Sequence, residues 1–273
     1  MQLSQPSKST DQPMPRRISG VNRVGLWTMV YKEVGRFLSV YTQTITAPVI
    51  TALLFYTIFA LAFGGIAREM GNVPFLAFIA PGLVMMTMAQ NAFANTSSSV
   101  VIAKVQGNIV DVLMPPLSPA ELFLGYVAGG VARGMIVGII GLFVISFFAP
   151  IGIYNPFTAL GFAILGTMML SSMGLAAGIW SEKFDHIAAV TNFAVTPLTF
   201  LSGTFYSLER LPPFWQAVAQ FNPFFYMIDG FRGGFVAHTD ANIWIGFLYL
   251  TGINIILMML CLWMLRTGYK IKA

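Results

Sequence analysis

Asp229 and Arg232, three positions apart, and a solitary arginine, Arg133, stand inside stretches otherwise built of apolar side chains. An acid and a base at i and i+3 share one helix face and can neutralise each other. A lone guanidinium must find a partner, line a hydrated pathway, or reach along its stem to the headgroup layer. These are ways of handling charge, not of making bonds. His186 and His238 have no ligand-type spacing around them, so no metal site is expected. Cys261 lies in an apolar run and reads as a small buried hydrophobe. No Gly-Lys dipeptide occurs, which excludes a phosphate-cradling GxxxxGKS/T loop. No nucleophile, base and acid assemble within the apolar stretches, so the chain is read as no enzyme.

The elements that would carry these residues are membrane helices. The chain is 56% hydrophobic and 9% charged, with a mean hydropathy of +0.75, too apolar for a soluble domain. Length and hydropathy predict an all-α protein with six spans: Thr44 to Phe63, Pro74 to Ala94, Leu122 to Phe148, Phe157 to Trp180, Ile187 to Leu201 and Ile243 to Leu265. Gly125, Gly129, Gly130, Gly134 and Gly138, with Gly174 and Gly178, let neighbouring backbones approach closely.

Residues 1–20 are polar and read as a disordered tail, leaving 21–273 as one domain. Val24, Trp27, Tyr31, Val34, Leu38 and Tyr41 recur at steps of three and four, with Arg23, Lys32, Glu33 and Arg36 elsewhere around the turn. Residues 21–42 are therefore expected to form a basic amphipathic helix in the membrane interface. An even span count puts both termini on one side. With the tails inside, Lys8, Arg16, Arg17, Arg23, Lys32, Arg36, Lys104, Lys183, Arg266, Lys270 and Lys272 are cytoplasmic, whereas only Arg68, Arg210 and Arg232 fall outside. The basic bias places both termini in the cytoplasm.

Two stretches between spans stand out. Residues 100–119 form a cytoplasmic loop in which Val105, Ile109, Val112 and Leu113 share a helical face, with Gln106, Asn108 and Asp111 beside it and Pro115-Pro116 closing it. Such a face needs the headgroup layer or a partner protein to cover it. Residues 202–241 are cut by Pro212, Pro213 and Pro223 into two half-length helices, with Asn222 capping the second and Pro223 at its first position. Two helices of about 15 Å each make a re-entrant hairpin. Its aromatics suit either an interfacial belt or a gate, with Phe200, Tyr206 and Tyr226 on the pathway side, and Arg133, Asn222, Pro223, Asp229 and Arg232 are taken with them as candidate pathway or gate residues.

Leu201-Ser202-Gly203-Thr204-Phe205-Tyr206, Leu211-Pro212-Pro213-Phe214-Trp215 and Asn222-Pro223-Phe224-Phe225-Tyr226, closed by Asp229 and Arg232, resemble the hallmark of type-2 ABC transporter permeases, particularly the YadH-like bacterial subgroup. The likeness runs from about Val21 to the end. It implies the bacterial inner membrane, a second copy of the chain and two ATP-binding-cassette ATPase subunits. ATP and Mg would then sit on the partner subunits, with no cofactor and no nucleic acid bound by this chain. It implies that the 100–119 loop is a coupling helix, although Lys104-Val105-Gln106 replaces the acidic-arginine cluster usual ahead of its glycine. The expected function is export of an amphiphilic or lipid-like cargo such as a drug, a lipid or a lipid-linked glycan. The alternative is an ATP-independent secondary transporter or channel.

Overall fold

The computed structural model describes residues 20–63, 69–70, 73–149, 151–236 and 239–271. The predicted tail, Arg68 and His238 therefore lie outside the described residues. Helix α1 (Arg23–Leu38) is followed by α2 (Thr42–Phe63), a two-stranded turn of β1 (Glu69–Met70) and β2 (Val73–Pro74), and α3 (Phe75–Val105). The short α4 (Ile109–Leu113) leads to α5 (Pro119–Ser146) and α6 (Pro156–Trp180). Next come α7 (Phe184–Val190), a π-helical segment Thr191–Val195 and α8 (Thr196–Phe200), running on without a break. After a 3-10 turn at Leu208–Arg210 stand α9 (Pro213–Gln220), α10 (Pro223–Gly233) and α11 (Ile243–Thr267). Among the described residues five helices (α2, α3, α5, α6 and α11) are long and apolar enough to cross a membrane.

The predicted fifth span is the α7–π–α8 run. Pro197 lacks an N–H and its ring would crowd the carbonyl four residues back. The wider π turn just before it relieves that conflict.

The second span is longer than expected. Asn95-Thr96-Ser97-Ser98-Ser99 reads as the end of a membrane helix, yet α3 runs straight through it to Val105. Asn95, Thr96 and Ser97 are fully buried and Ser99 nearly so. Thr96 Oγ1 donates to Ser171 O of α6 at 2.8 Å. Polar groups that bond across helices remain compatible with a membrane interior.

α3 is the central helix, packed along α6 and α5. Glycines set that closeness. A Cβ on Gly174 would sit 2.5 Å from Phe93 O, and one on Gly134 2.9 Å from Met88 O. α2 and α11 lie at the periphery with most of their side chains exposed. α10 is buried against α6, α11 and α3, whereas α9 leaves Phe214 and Trp215 exposed.

Candidate transport groove and partner-facing loop

One face of α3 is left uncovered by α5 and α6. It carries Thr87, Gln90, Asn91, Ala94 and Ser98, at steps of three and four. Gln90, Asn91, Ala94 and Ser98 face Ile187, Thr191, Val195 and Thr196 of the α7–α8 run across a groove of about 370 Å³. Amides and hydroxyls at the middle of an apolar bundle must be hydrated or covered by protein, since hydrocarbon offers them no partner.

A charged cluster backs this groove. Arg133 Nη2 donates to Asn91 Oδ1 at 2.8 Å. Arg36 of α1 donates to Asn95 O (2.7 Å) and Asn95 Oδ1 (3.0 Å), and pairs with Glu33 at 3.1 Å. Ser99 Oγ donates to Glu33 Oε1 at 2.7 Å. Glu33 is fully buried because Gly129 of α5 leaves it room: a Cβ there would lie 2.5 Å from Glu33 Cβ. Glu33 and Arg36 turn into the bundle, while Val24, Trp27, Tyr31 and Leu38 point outward. The cost of burying Glu33 is offset by Arg36 and Ser99.

At the end of the groove away from α4, aromatic rings close in. Phe205 stacks on Phe59 of α2 (centroids 4.7 Å apart) and on Phe200 of α8 (5.6 Å). Phe63 continues the stack from Phe59 at 5.8 Å. Tyr206 Oη donates to Phe200 O at 3.3 Å. Phe200 thus sits one helical turn beyond Thr196, which lines the groove, and Tyr206 is tied to it. Tyr226 does not join them, because its ring packs on Tyr249 of α11 at 4.9 Å and it faces Gly246. Phe59 and Phe63 lie in a uniformly apolar stretch that gives no sequence signal to single them out.

Asn222, Pro223, Asp229 and Arg232 hold this end together. Asn222 Oδ1 caps α10 by accepting from Phe224 N (3.0 Å), with Pro223 at the first helical position. Asn222 Nδ2 donates to Leu198 O of α8 at 2.7 Å, tying the two helices. Arg232 is buried 3.8 Å from Asp229, donates to Gly203 O at 2.6 Å and lies 3.7 Å from the centre of the Phe78 ring. Asp229 accepts from Asp240 N (3.1 Å) and Ala241 N (3.0 Å). The pair is therefore placed as an internal strut.

The α4 end gathers the chain's remaining ends and loops. Gly107, at φ +76°, breaks the backbone after α3. Val105 consequently belongs to α3 and not to the predicted loop helix. The face expected to be open is divided, with Val112 buried and Ile109 packed in a cluster with Leu122, Tyr126 and Leu175, while Val105 and Leu113 stay exposed. The open surface of the loop is Gln106, Asn108, Val110, Asp111, Met114, Pro115 and Pro116. Ser118 and Glu121 form a capping box that starts α5 at Pro119. Glu121 also accepts from Asn22 N, and Asn22 Nδ2 donates to Pro116 O at 3.3 Å, so α1, the loop and α5 begin at one knot. Close by in the bundle, Lys104 Nζ donates to Ile179 O at 2.7 Å and to Ser181 O, closing the α6 end. Lys270 pairs with Glu182 at 3.0 Å, and this holds the Glu182 carboxyl below its usual range.

Apolar helices around a polar groove, rimmed by aromatic rings at one end and a proline-closed loop at the other, define a multi-pass membrane protein with a pathway-shaped recess. The chain belongs to the ABC-2 type transporter family, whose sequence profile matches residues 24–236. It is 38% identical over 251 residues to the inner membrane transport permease YadH of Escherichia coli (strain K12), covering 92% of this chain and 98% of that protein. It is 24% identical over 186 residues to nodulation protein J of Rhizobium leguminosarum bv. trifolii, covering 66% of this chain and 69% of that protein. The resemblance carried by residues 201–232 is borne out, and the protein is a multi-pass inner-membrane permease.

Proposed function

We propose that this chain is the permease subunit of an ABC exporter, driven by ATP hydrolysis in two separate ATPase subunits. The observation that carries this reading is the groove along α3 lined by Gln90, Asn91, Ser98 and Thr191, with the stacked rings of Phe59, Phe63, Phe200 and Phe205 beyond Thr196. Two copies facing each other across this groove would enclose a pathway and remove its polar side chains from lipid. The α7–α8 run then serves as the sixth span beside the five long helices.

Both described chain ends meet the α4 end of the bundle, and the basic bias of the loops assigns that end to the cytoplasm. There α1 lies in the interface with Trp27 and Tyr31 toward lipid. On the opposite face, α9 and α10 form a re-entrant hairpin. The ATPase subunits dock on Gln106, Asn108, Val110 and Asp111, with the exposed turn at Glu182–Asp185 as a second contact. Their motion is delivered through Pro116 and Glu121 to α1 and α5 together. The aromatic rim then parts and an amphiphilic or lipid-like cargo leaves outward.

The test is co-purification. A tagged chain purified from its native host should carry an ATP-binding-cassette ATPase through detergent, and Asp111→Arg should abolish ATPase stimulation while leaving the elution profile unchanged. A chain that transports without any ATPase, on an ion gradient alone, contradicts the proposal.

A further inference from the structure

Arg133 brings a positive charge to the centre of the bundle with no carboxylate beside it. It stands midway along α5 (28 residues), about 21 Å from the helix start. Among the described residues no acid pairs with it. Its hydrogen bond goes to a neutral amide, Asn91 Oδ1 (2.8 Å), and its Nε is buried without a partner. Arg36, the neighbouring cation, is already matched by Glu33 at 3.1 Å. Glu33, Arg36 and Arg133 together therefore carry one net positive charge. Arg133 stands behind the groove wall, and its excess charge acts through Asn91, which lines the groove, as does Ser98, which accepts from Arg36 Nη1 at 3.4 Å. A guanidinium taken out of water without an anion is costly, and an anion held nearby lowers that cost.

We propose that the groove recognises the anionic headgroup of an amphiphile, a phosphate, sulfate or carboxylate on an apolar tail, with Arg133 as its counter-ion. The headgroup oxygens accept from the amide N–H groups of Gln90 and Asn91, with Arg133 behind Asn91 supplying the positive charge. The tail lies along Ala94, Ile187 and Val195 toward the open side of the groove. This rests on the exporter reading of the same groove and narrows it from any amphiphile to acidic ones.

The experiment uses the full chain in nanodiscs of zwitterionic lipid. Radiolabelled dodecyl phosphate is displaced by unlabelled dodecyl phosphate, by dodecylphosphocholine and by inorganic phosphate. Dodecyl phosphate should compete at least about tenfold better than dodecylphosphocholine, the scale of a charge-assisted hydrogen bond, and inorganic phosphate should not compete at matched concentration. Arg133→Gln should weaken dodecyl phosphate about tenfold and leave dodecylphosphocholine unchanged. Asn91→Asp places a carboxylate where the amide now meets Arg133. It should erase the preference with the fold intact, which keeps the test decisive if Arg133→Gln fails to fold. Equal affinity for both amphiphiles, or a preference that survives Asn91→Asp, overturns the proposal but leaves the exporter reading standing. Displacement by inorganic phosphate as strong as by dodecyl phosphate overturns it in favour of a free-anion site. Binding of neither amphiphile overturns the proposal, while the exporter reading is decided separately by ATPase co-purification.

Discussion

Replacing Asp229 by alanine strands Arg232 in the interior. The two side chains are 3% and 1% exposed, so solvent cannot take over the lost pairing. Leaving one member of a buried ion pair alone costs about 3–5 kcal/mol. The amides of Asp240 and Ala241 lose their acceptor as well, which adds about 1–3 kcal/mol for each that stays dry. Local relaxation that admits water would satisfy the two amides, so the ion-pair cost alone, about 4 kcal/mol, is the working figure. For a chain of this size that corresponds to roughly 10 °C in the thermal midpoint. The assay is thermal unfolding in detergent followed by size-exclusion fluorescence. Asp229→Ala combined with Arg232→Met should recover at least half the loss, because an apolar replacement of both partners removes the stranded charge. A single Asp229→Ala variant within about 2 °C of the parent would refute the strut.

Other expected outcomes follow from the packing and the caps. Gly174→Ala meets backbone at Phe93 O within 2.5 Å, so α3 and α6 must separate, at a cost of about 1–3 kcal/mol and in lower yields of folded protein. Gly252→Ala, with nothing within 4 Å, is the neutral control. Ser118→Ala removes the α5 N-cap and should cost about 1 kcal/mol, read as a lower midpoint in the same unfolding assay. The Glu182–Lys270 pair carries a pH signature. The carboxyl is lowered in the folded state by Lys270, so its contribution is complete above the ordinary carboxyl pKa and disappears as pH falls through the depressed value. Cleavage after Lys270 by an acid-tolerant protease should therefore accelerate only at pH below the ordinary carboxyl range, and Glu182→Gln should flatten that profile.

Much of the fold was legible because membrane helices are written in one dimension. α5, α6 and α11 begin and end within about three residues of where length and hydropathy place them, each start marked by a capping serine or asparagine. The half-helices α9 and α10 were legible from Pro213, Asn222 and Pro223. The Asp229–Arg232 pair was legible from its spacing.

The extension of α3 was not, because a serine-rich run looks like a loop until α6 and α1 are known to bond it. Gly107 was the signal that separated Val105 from α4, since a positive φ ends the helix there. The groove left a weaker trace. Thr87, Asn91, Ala94 and Ser98 are spaced four, three and four apart, a polar stripe at helical period within an apolar span. The partners of the stripe, Arg133 on Asn91 and Arg36 on Ser98, come from α5 and α1, 42 and 62 residues away in sequence. Tyr226 could not be assigned without knowing that α11 packs beside α10.

The central claim, a hydrated groove worked by ATP from outside the chain, is tested most directly by thiol labelling. On a Cys261→Ser background, Gln90→Cys is reacted with a membrane-impermeant maleimide in proteoliposomes holding the permease and its ATPase. The account predicts labelling whose rate changes at least severalfold when the ATPase is trapped with ATP and vanadate. A cysteine that stays inert in every state, or one labelled at the same rate with and without trapped nucleotide, would contradict it.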